Sequence, residues 1–337
     1  MKLRDPFSYP TPGGASVADL LFAPLAAQGG ELTIVDAGAR NGMIISPEFA
    51  RRSRLIGFEP NPEEYEKLAA HRTDAGAAGV PIATFAKEEY HNCALWSREE
   101  ERPFYITAGT GACTLMGETA GELPRRMWMD GRDRPYADLH TQVRRSLPMR
   151  CRPLDDVLGA DARVDFMKLD VEGAEADILE GSAQLFARRA VLFIKTEFVF
   201  TPYYQVHPVL GHQHVYLHER GFRLIDLDLN QPRYSRDRTT IPALADRRLI
   251  YAGDAYFMLD PERGAVPPRD LYRMGLVAIS QGFHALGVSL IRDSGVVGGA
   301  ELKAAEAGLG RVPLGRKLKD VWNRFPLVVA RALARFR

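Results

Sequence analysis

The run Ile34-Val35-Asp36-Ala37-Gly38-Ala39-Arg40-Asn41-Gly42 is followed further along the chain by Gly57-Phe58-Glu59-Pro60. Together they predict a strand, a glycine-rich turn, a helix and a second strand that ends in an acid. Gly38 and Gly42 carry no Cβ, so the turn lets the backbone approach a ligand closely. Glu59 lies 23 residues after Asp36, near the roughly 20-residue spacing at which a Rossmann-like unit places a carboxylate on ribose hydroxyls. We therefore expect an adenosine-containing cofactor.

The first residue of this turn is acidic, which bears on the identity of the cofactor. A dinucleotide site typically has Gly-x-Gly-x-x-Gly around a pyrophosphate, whereas this chain has Asp-x-Gly-x-x-x-Gly. An acid is a poor neighbour for pyrophosphate but suits a ligand with an ammonium group. S-adenosylmethionine (SAM) carries an ammonium, a sulfonium and a ribose, and no phosphate. The pattern favours SAM over NAD, and the alternative is an ordinary strand-to-helix turn.

A second group of acids occurs in Asp165-Phe166-Met167-Lys168-Leu169-Asp170-Val171-Glu172-Gly173-Ala174-Glu175. Its apolar first half predicts a buried parallel strand, and residues 172–181 predict the helix that follows. Asp170 would then lie at the carboxyl end of a strand, where open α/β sheets bind their ligands. Glu172 and Glu175 also suit a helix N-terminus through its dipole, and for Glu175 this structural explanation is the stronger one.

These motifs and several later ones resemble the FkbM family of SAM-dependent methyltransferases. The matching motifs run in order from about residue 30 to 260 and are 35–42, 57–62, 92–97, 152–156, 168–175, 179–181, 221–222 and 253–257. The resemblance implies an α/β fold, a Rossmann-like seven-stranded class I methyltransferase sheet with helices on both faces. Two places depart from the family's usual pattern. Arg40 stands where the family usually has Asn, and Val206-His207 stands where it has a Gly-Gln pair.

The resemblance and the requirements of methyl transfer imply roles for individual residues. Aligning the reactants can supply roughly 7–11 kcal/mol, and a placed general base about 10²–10⁴-fold in rate. Asp170 or Glu197 is expected to be that base, with Lys168 tuning the local charge. The acceptor side is expected to include Glu172, Tyr204 and His207. Cofactor contacts are expected from Asp36, Gly38, Arg40, Asn41, Gly42, Glu59, Asn92 and Ala94.

Composition fits a globular protein of 337 residues, with 46% hydrophobic and 26% charged residues. The net charge of +1 gives no global attraction to nucleic acid. The chain has three cysteines without paired spacing, which indicates neither a disulfide framework nor a zinc site, and the histidines at 207, 212, 214 and 218 form no firm ligand pattern. We expect no metal. The N-terminus lacks the apolar core of a signal peptide and no window is apolar enough to span a membrane, so we predict a cytoplasmic protein.

The chain divides into three predicted parts: an N-terminal cap (1–30), a methyltransferase domain (31–262) and a helical C-terminal extension (263–337). The cap is expected to contain one short helix at 18–27, and the extension a helical pattern over 268–293. Strand and helix patterns alternate as in a parallel sheet. A helix is expected at 215–221, and strands at 32–36, 54–58, 90–96, 164–169, 191–197, 222–228 and 254–259.

Two basic segments remain open in their interpretation. Residues 108–150 are rich in arginine (positions 125, 126, 132, 134, 144, 145 and 150). They suit a lid that grips a phosphorylated or carboxylated acceptor or a solvated helix, and nucleic acid is the weakest possibility. The tail, residues 314–337, is basic and amphipathic. It suits an anionic membrane surface, where lipid-linked glycan precursors would lie, or docking on its own domain or on a partner subunit.

From these patterns we expect a SAM-dependent O-methyltransferase that acts on a sugar hydroxyl in a glycan or glycoconjugate. One alternative keeps the fold and changes the acceptor to a polyketide-type natural-product hydroxyl. Another is a non-catalytic module of the same fold that serves in assembly.

Overall fold

The computed structural model describes residues 5–117, 142–202, 204, 208–230 and 250–310. Its strands are β1 (Leu32–Ala37), β2 (Ser53–Phe58), β3 (Lys87–His91), β4 (Ala94–Leu95), β5 (Glu100–Thr107), β6 (Val143–Arg152), β7 (Val164–Leu169), β8 (Val191–Val199), β9 (Phe222–Asn230) and β10 (Ala252–Leu259). Seven of them form one sheet in the order β3-β2-β1-β7-β8-β10-β9. Its first five strands pair in parallel, and β10 runs antiparallel to both of its neighbours. The predicted seven-stranded sheet is confirmed.

Short helices connect the strands, and three longer ones follow the last strand. They are α1 (Val17–Leu21), α2 (Ala23–Ala27), α3 (Pro47–Ala50), α4 (Pro62–Ala69), α5 (Asp74–Ala77), α6 (Leu154–Leu158), α7 (Glu175–Glu180), α8 (Ala183–Ala187), α9 (Leu210–Glu219), α10 (Pro268–Ser280), α11 (His284–Ser294) and α12 (Gly299–Leu309). Local capping explains several starts. Ser16 and Asp19 form a reciprocal capping box at α1, and Asn61 accepts the Glu63 backbone N–H at the start of α4.

The central strands are buried on both faces. Consecutive residues of β1 and β7 are almost all buried, which is the pattern of parallel strands covered by helices on either side. Helix α10 packs on β7 and β8. It is fixed there by Arg273, whose guanidinium makes two hydrogen bonds of 2.6 Å to the buried carboxylate of Asp165. The helices after residue 263 therefore share the core of the sheet.

A second, three-stranded sheet lies between β3 and β7 in the chain, in the order β4-β6-β5. Strand β6 pairs antiparallel with β5 along most of its length. Three of the arginines of the arginine-rich segment, at 144, 145 and 150, lie exposed on β6. They belong to a strand and not to a helix, because β5 supplies the backbone partners. The arginines at 125, 126, 132 and 134 lie outside the described residues.

Several predicted elements have different bounds in the structure. The helix expected from Glu172 begins only at Glu175, because Glu172 (φ 58°) and Gly173 (φ 112°) have left-handed backbone conformations. The strand expected at 90–96 divides into β3, which pairs with β2, and β4, which pairs with β6. The helix expected at 215–221 spans 210–219, and the regions 18–27 and 268–293 each hold two helices.

Candidate active site

The carboxyl ends of β1, β2 and β7 are in register with one another and with Thr196 inside β8, and they build one edge of the main sheet. Ala37 of β1 is aligned with Phe58 of β2 and with Leu169 of β7, and Leu169 is aligned with Thr196 of β8. The residues that follow these positions therefore reach the same edge. They are Gly38, Glu59, Asp170 and Glu197, the set that the sequence places at strand ends.

A cleft opens at this edge. Six of the predicted site residues line it: Gly38, Arg40, Glu59, Ala94, Asp170 and Glu172. Apolar wall is added by Phe58, Leu95 and Phe104. The remaining side is formed by residues 108–117, the segment directly after β5, which includes a 3-10 turn at Thr110–Ala112. We call this segment the cover. It contributes Thr110, Gly111, Cys113 and Leu115 to the cleft.

Gly38 is required where it stands. Its φ is +81°, and a Cβ at this position would lie 1.9 Å from the carbonyl oxygen of Asp170. Any side chain would push the β1 turn away from the β7 turn. The glycine therefore lets the two strand ends meet and leaves bare backbone facing the cleft.

Glu59 is a buried acid at the cleft wall, with 5% of its surface exposed. Its carboxylate accepts the Asn61 backbone N–H at 2.8 Å. Asn92 does not reach into the cleft but donates its side-chain amide to the carbonyl oxygens of Glu59 and Pro60, at 2.8 and 3.1 Å. Burial raises the pKa of Glu59 to about 7, although the Asn61 N–H opposes the change. Hydrogen bonds from a bound ligand would therefore stabilise the charged form of Glu59.

Three charges form a line from the core to the cleft. Lys168 lies 3.1 Å from the buried Asp36 carboxylate and 3.2 Å from the exposed Asp170 carboxylate. Burial lowers the pKa of Lys168, but the two carboxylates more than offset this, so the net pKa is raised. Burial also raises the pKa of Asp36, and Lys168 opposes it. Lys168 therefore stays charged and neutralises Asp36 behind the cleft wall.

A group of carboxylates gathers at the β7–β8 side of the cleft. Tyr204 donates its hydroxyl to Glu172 at 3.5 Å, and Glu175 accepts the backbone N–H groups of Val171 and Gly173. Burial and the charges of Asp170 and Glu175 raise the pKa of Glu172 well above its ordinary range.

The pKa of Glu197 is also raised well above its ordinary range, by burial first and then by Glu172 and the other nearby carboxylates. Because like charges raise one another's pKa, this side of the cleft retains protons more readily than free carboxylic acids do.

Some predicted site residues have other partners. The Asn41 side chain accepts the Ala75 backbone N–H at 3.1 Å, and a Cβ on Gly42 would lie 2.6 Å from Ile82. Asn41 and Gly42 therefore shape the turn after β1 from the side away from the cleft. Glu197 does not line the cleft, and its backbone carbonyl accepts the Gln213 side-chain amide at 3.0 Å. His207 lies outside the described residues.

The cover is the part of the site that sequence analysis missed in detail. The arginines of residues 108–150 predict a charged lid, whereas the residues of the cover that line the cleft are small or uncharged. The signal was present in Gly109-Thr110-Gly111, a turn sequence directly after the run that forms β5.

Comparison with protein families identifies the chain. A model of the methyltransferase FkbM domain matches residues 36–224, more than half of the 337 residues. The chain belongs to the FkbM methyltransferase family. The matched range begins at Asp36 and includes both the turn after β1 and the acids after β7. No curated protein sequence matches the chain.

Solved structures with some similarity include two other methyltransferases. Magnesium protoporphyrin IX methyltransferase from Synechocystis PCC 6803, with bound SAM, has a TM-score of 0.31 and 8% identity over 72% of this chain and 77% of its own. Precorrin-6y C5,15-methyltransferase from Geobacter metallireducens GS-15 has a TM-score of 0.27 and 11% identity over 72% and 87%. These scores are low, and the fold is established by the sheet order described above.

SAM is the cofactor of this family, and the residues of the cleft fit it. Gly38 lines the cleft without a side chain, which permits the close approach that a bound nucleoside needs. The buried acid at the end of β2 is placed as in Rossmann-like ribose sites. None of the described helices is both long enough and apolar enough to cross a bilayer.

Proposed function

We propose that this FkbM family enzyme is an O-methyltransferase that acts on a hydroxyl group of a sugar in a glycan or glycoconjugate. One observation carries the proposal: Glu172 lines the cleft together with Asp170, and its carboxylate accepts a hydrogen bond from the Tyr204 hydroxyl. An alcohol must lose its proton as it attacks a methyl group, and a carboxylate at this edge is suited to take it.

The cofactor would be held by the β1 and β2 sides of the cleft. Gly38 would lie against it, Glu59 would accept from the ribose hydroxyls, and Ala94 would lie near the adenine. Asp36 would act indirectly, because Lys168 and the cleft wall lie between it and the opening. Bound SAM supplies a methyl group that its sulfonium already activates. The task left to the protein is alignment and proton removal.

Among the candidate bases, the contacts favour Glu172. Asp170 lines the cleft too, but its carboxylate is paired with Lys168 at 3.2 Å, and such a pair weakens a base. The pKa of Glu197 is raised as well, but Glu197 does not line the cleft. Burial and neighbouring carboxylates raise the pKa of Glu172, so its ionised form accepts a proton more readily than an ordinary carboxylate does.

The charges of the described residues favour an acceptor without negative charge near the reacting oxygen. Both lysines at this edge are already paired, Lys168 as above and Lys195 with Asp254 at 2.8 Å. Asp170 and Glu172 both line the cleft, so a phosphate placed beside their carboxylates would be repelled. On β6, Arg145 pairs with Glu63, and Arg150 pairs with Glu99. These contacts support a neutral sugar over the phosphorylated or carboxylated acceptor also considered from the sequence.

An acceptor screen with methyl-labelled SAM tests this proposal. The panel would contain neutral hexoses and oligosaccharides, their amino and phosphorylated counterparts, and macrolide alcohols. We expect a methyl ether on a neutral sugar, and a large loss of turnover with retained SAM binding in Glu172→Gln. Methylation of nitrogen or carbon would refute the O-methyltransferase proposal. Turnover only with a macrolide would select the natural-product alternative. SAM binding without turnover on any acceptor would favour the assembly module.

The remaining expectations on location and partners continue as proposals. We propose a cytoplasmic protein without nucleic-acid partners, which is supported by three free cysteine thiols and by the near-neutral net charge. Contact with a membrane surface, or self-association, is proposed for the basic tail, residues 314–337, which lies outside the described residues.

A further inference from the structure

We propose that Arg40 and Thr110 form a clasp that positions the cover over the cofactor cleft, and that this clasp sets how fast the cofactor is released. Both residues line the cleft, and they come from different segments of the chain. Arg40 belongs to the turn after β1, and Thr110 to the 3-10 turn of the cover. The inference rests on SAM as the cofactor and assigns Arg40 a positioning role in place of a direct cofactor contact.

The guanidinium of Arg40 is held to the protein through its Nε atom. Its Nε donates to the Thr110 hydroxyl at 2.9 Å and lies 3.2 Å from the Glu64 carboxylate. Glu64 is 3% exposed, and its charge is compensated both by Arg40 and by Lys67, whose Nζ lies 3.0 Å away. The Glu64 carboxylate thereby fixes the arginine side chain across the cleft mouth, and the charged donor makes the bond to Thr110 stronger than one between neutral groups.

The cover packs directly on this arginine. A Cβ on Gly111 would lie 3.3 Å from Arg40 Nη1, so the guanidinium touches the backbone of the 3-10 turn. Next to it, Cys113 lies 3.9 Å from the Asn61 amide nitrogen. Arg40 therefore sets how far the 3-10 turn lies from the cleft, and its hydrogen bond to Thr110 holds the turn there.

The far end of the cover has its own anchor. The Thr114 hydroxyl donates to the backbone carbonyl of Glu172 at 2.7 Å, and Thr114 pairs through its backbone with Tyr105 at the end of β5. This anchor is buried, with Thr114 1% exposed. The turn that carries Thr110 is half-buried. It is held by the hydrogen bond to Arg40 and, at Gly109, by the Thr107 hydroxyl at 2.7 Å. Opening is expected as an outward movement of Thr110 to Cys113 between the anchors at Gly109 and Thr114.

A pair of substitutions at Thr110 isolates the clasp. Thr110→Val keeps the shape of the side chain and removes the hydroxyl, whereas Thr110→Ser keeps the hydroxyl and serves as the matched control. Because the side chain is half-buried, both variants should fold. Arg40→Gln provides a second test from the other side, with unfolding measured in parallel because it removes one of the two cations beside the buried Glu64.

The first measurement is amide hydrogen exchange in the protein without added ligand. We expect the Ala112 amide, which donates to Gly109 within the turn, to exchange about tenfold faster in Thr110→Val, since a hydrogen bond to a charged group has been lost. Thr110→Ser should match the wild type, and the amides of β7 should be unchanged in every variant. Equal protection of Ala112 in Thr110→Val would overturn the clasp.

The second measurement is the dissociation rate of S-adenosylhomocysteine (SAH), followed by displacement in a stopped-flow instrument. We expect it to rise about tenfold in Thr110→Val and Arg40→Gln and to stay at the wild-type value in Thr110→Ser. Faster exchange of the cover with unchanged SAH release would overturn the positioning role. If the wild type bound no SAH, the cofactor assignment would fail, while the exchange experiment would still decide whether Arg40 and Thr110 hold the turn.

Discussion

Glu59 should make the unliganded protein less stable as the pH rises, and Glu59→Gln should remove that dependence. The pKa of Glu59 is raised by burial from 4.5 to about 7. Between these two values the unfolded chain has released a proton that the folded protein still holds. Unfolding is therefore favoured progressively as the pH rises through this window, and the penalty is complete above pH 7.

The size of the effect follows from the two pKa values. For one group that titrates at 4.5 when unfolded and at about 7 when folded, the free energy of unfolding falls by roughly 2.5 kcal/mol between pH 5 and pH 8. Glu59 is only 5% exposed, so solvent screening reduces this little. Glutamine keeps an oxygen that can accept the Asn61 N–H and carries no titrating proton.

Urea unfolding of both proteins at several pH values between 5 and 8 measures this difference. Other acids with raised pKa values, such as Glu172 and Glu175, change the stability of both proteins alike and cancel in the comparison. We expect the advantage of Glu59→Gln over the wild type to grow by roughly 2.5 kcal/mol from pH 5 to pH 8. Glu63→Gln is the control, because this neighbouring acid is 66% exposed. An advantage that stays constant over this range would refute the reasoning for Glu59.

Three further predictions concern the cofactor site and its support. SAH should bind the wild type about tenfold more weakly at pH 6 than at pH 8, because binding to the charged Glu59 must displace a proton; calorimetry should show no such change in Glu59→Gln. Gly38→Ala should lose about 3 kcal/mol in urea unfolding and all measurable SAH binding, since its Cβ has no space, whereas Gly13→Ala, with open space around it, should match the wild type. Lys168→Met should lose about 3–5 kcal/mol by leaving Asp36 buried without its cation; adding Asp36→Asn should restore part of that loss, and equal stability of the single and double variants would contradict the pairing.

The main sheet could be predicted from sequence because its signals are local. The runs that form β1, β7 and β8 are continuous and apolar, which is typical of strands buried on both faces. The small sheet could not be foreseen in the same way. Strands β5 and β6 carry exposed charges and are held by pairing with each other across more than thirty intervening residues, and sequence periodicity does not reveal such a partner.

The site was predictable to the extent that strand ends meet. Glu59 and Asp170 follow strands, and the register brings them to one edge. The direction of a polar side chain in a turn was not predictable. Asn41 bonds Ala75 instead of facing the cleft, and Arg40 is directed by Glu64 and by Thr110, 70 residues away in the chain. Each depends on a tertiary contact that no local pattern encodes.

Calorimetric titration of SAH into the wild type, Glu59→Ala and Glu63→Ala tests most directly whether the cleft at the sheet edge holds the cofactor through Glu59. We expect the wild type and Glu63→Ala to bind alike. Glu59→Ala should bind roughly 100-fold more weakly, because two hydrogen bonds to a charged acceptor would be lost. Equal affinity in all three proteins would contradict the assignment of Glu59 and place the cofactor elsewhere.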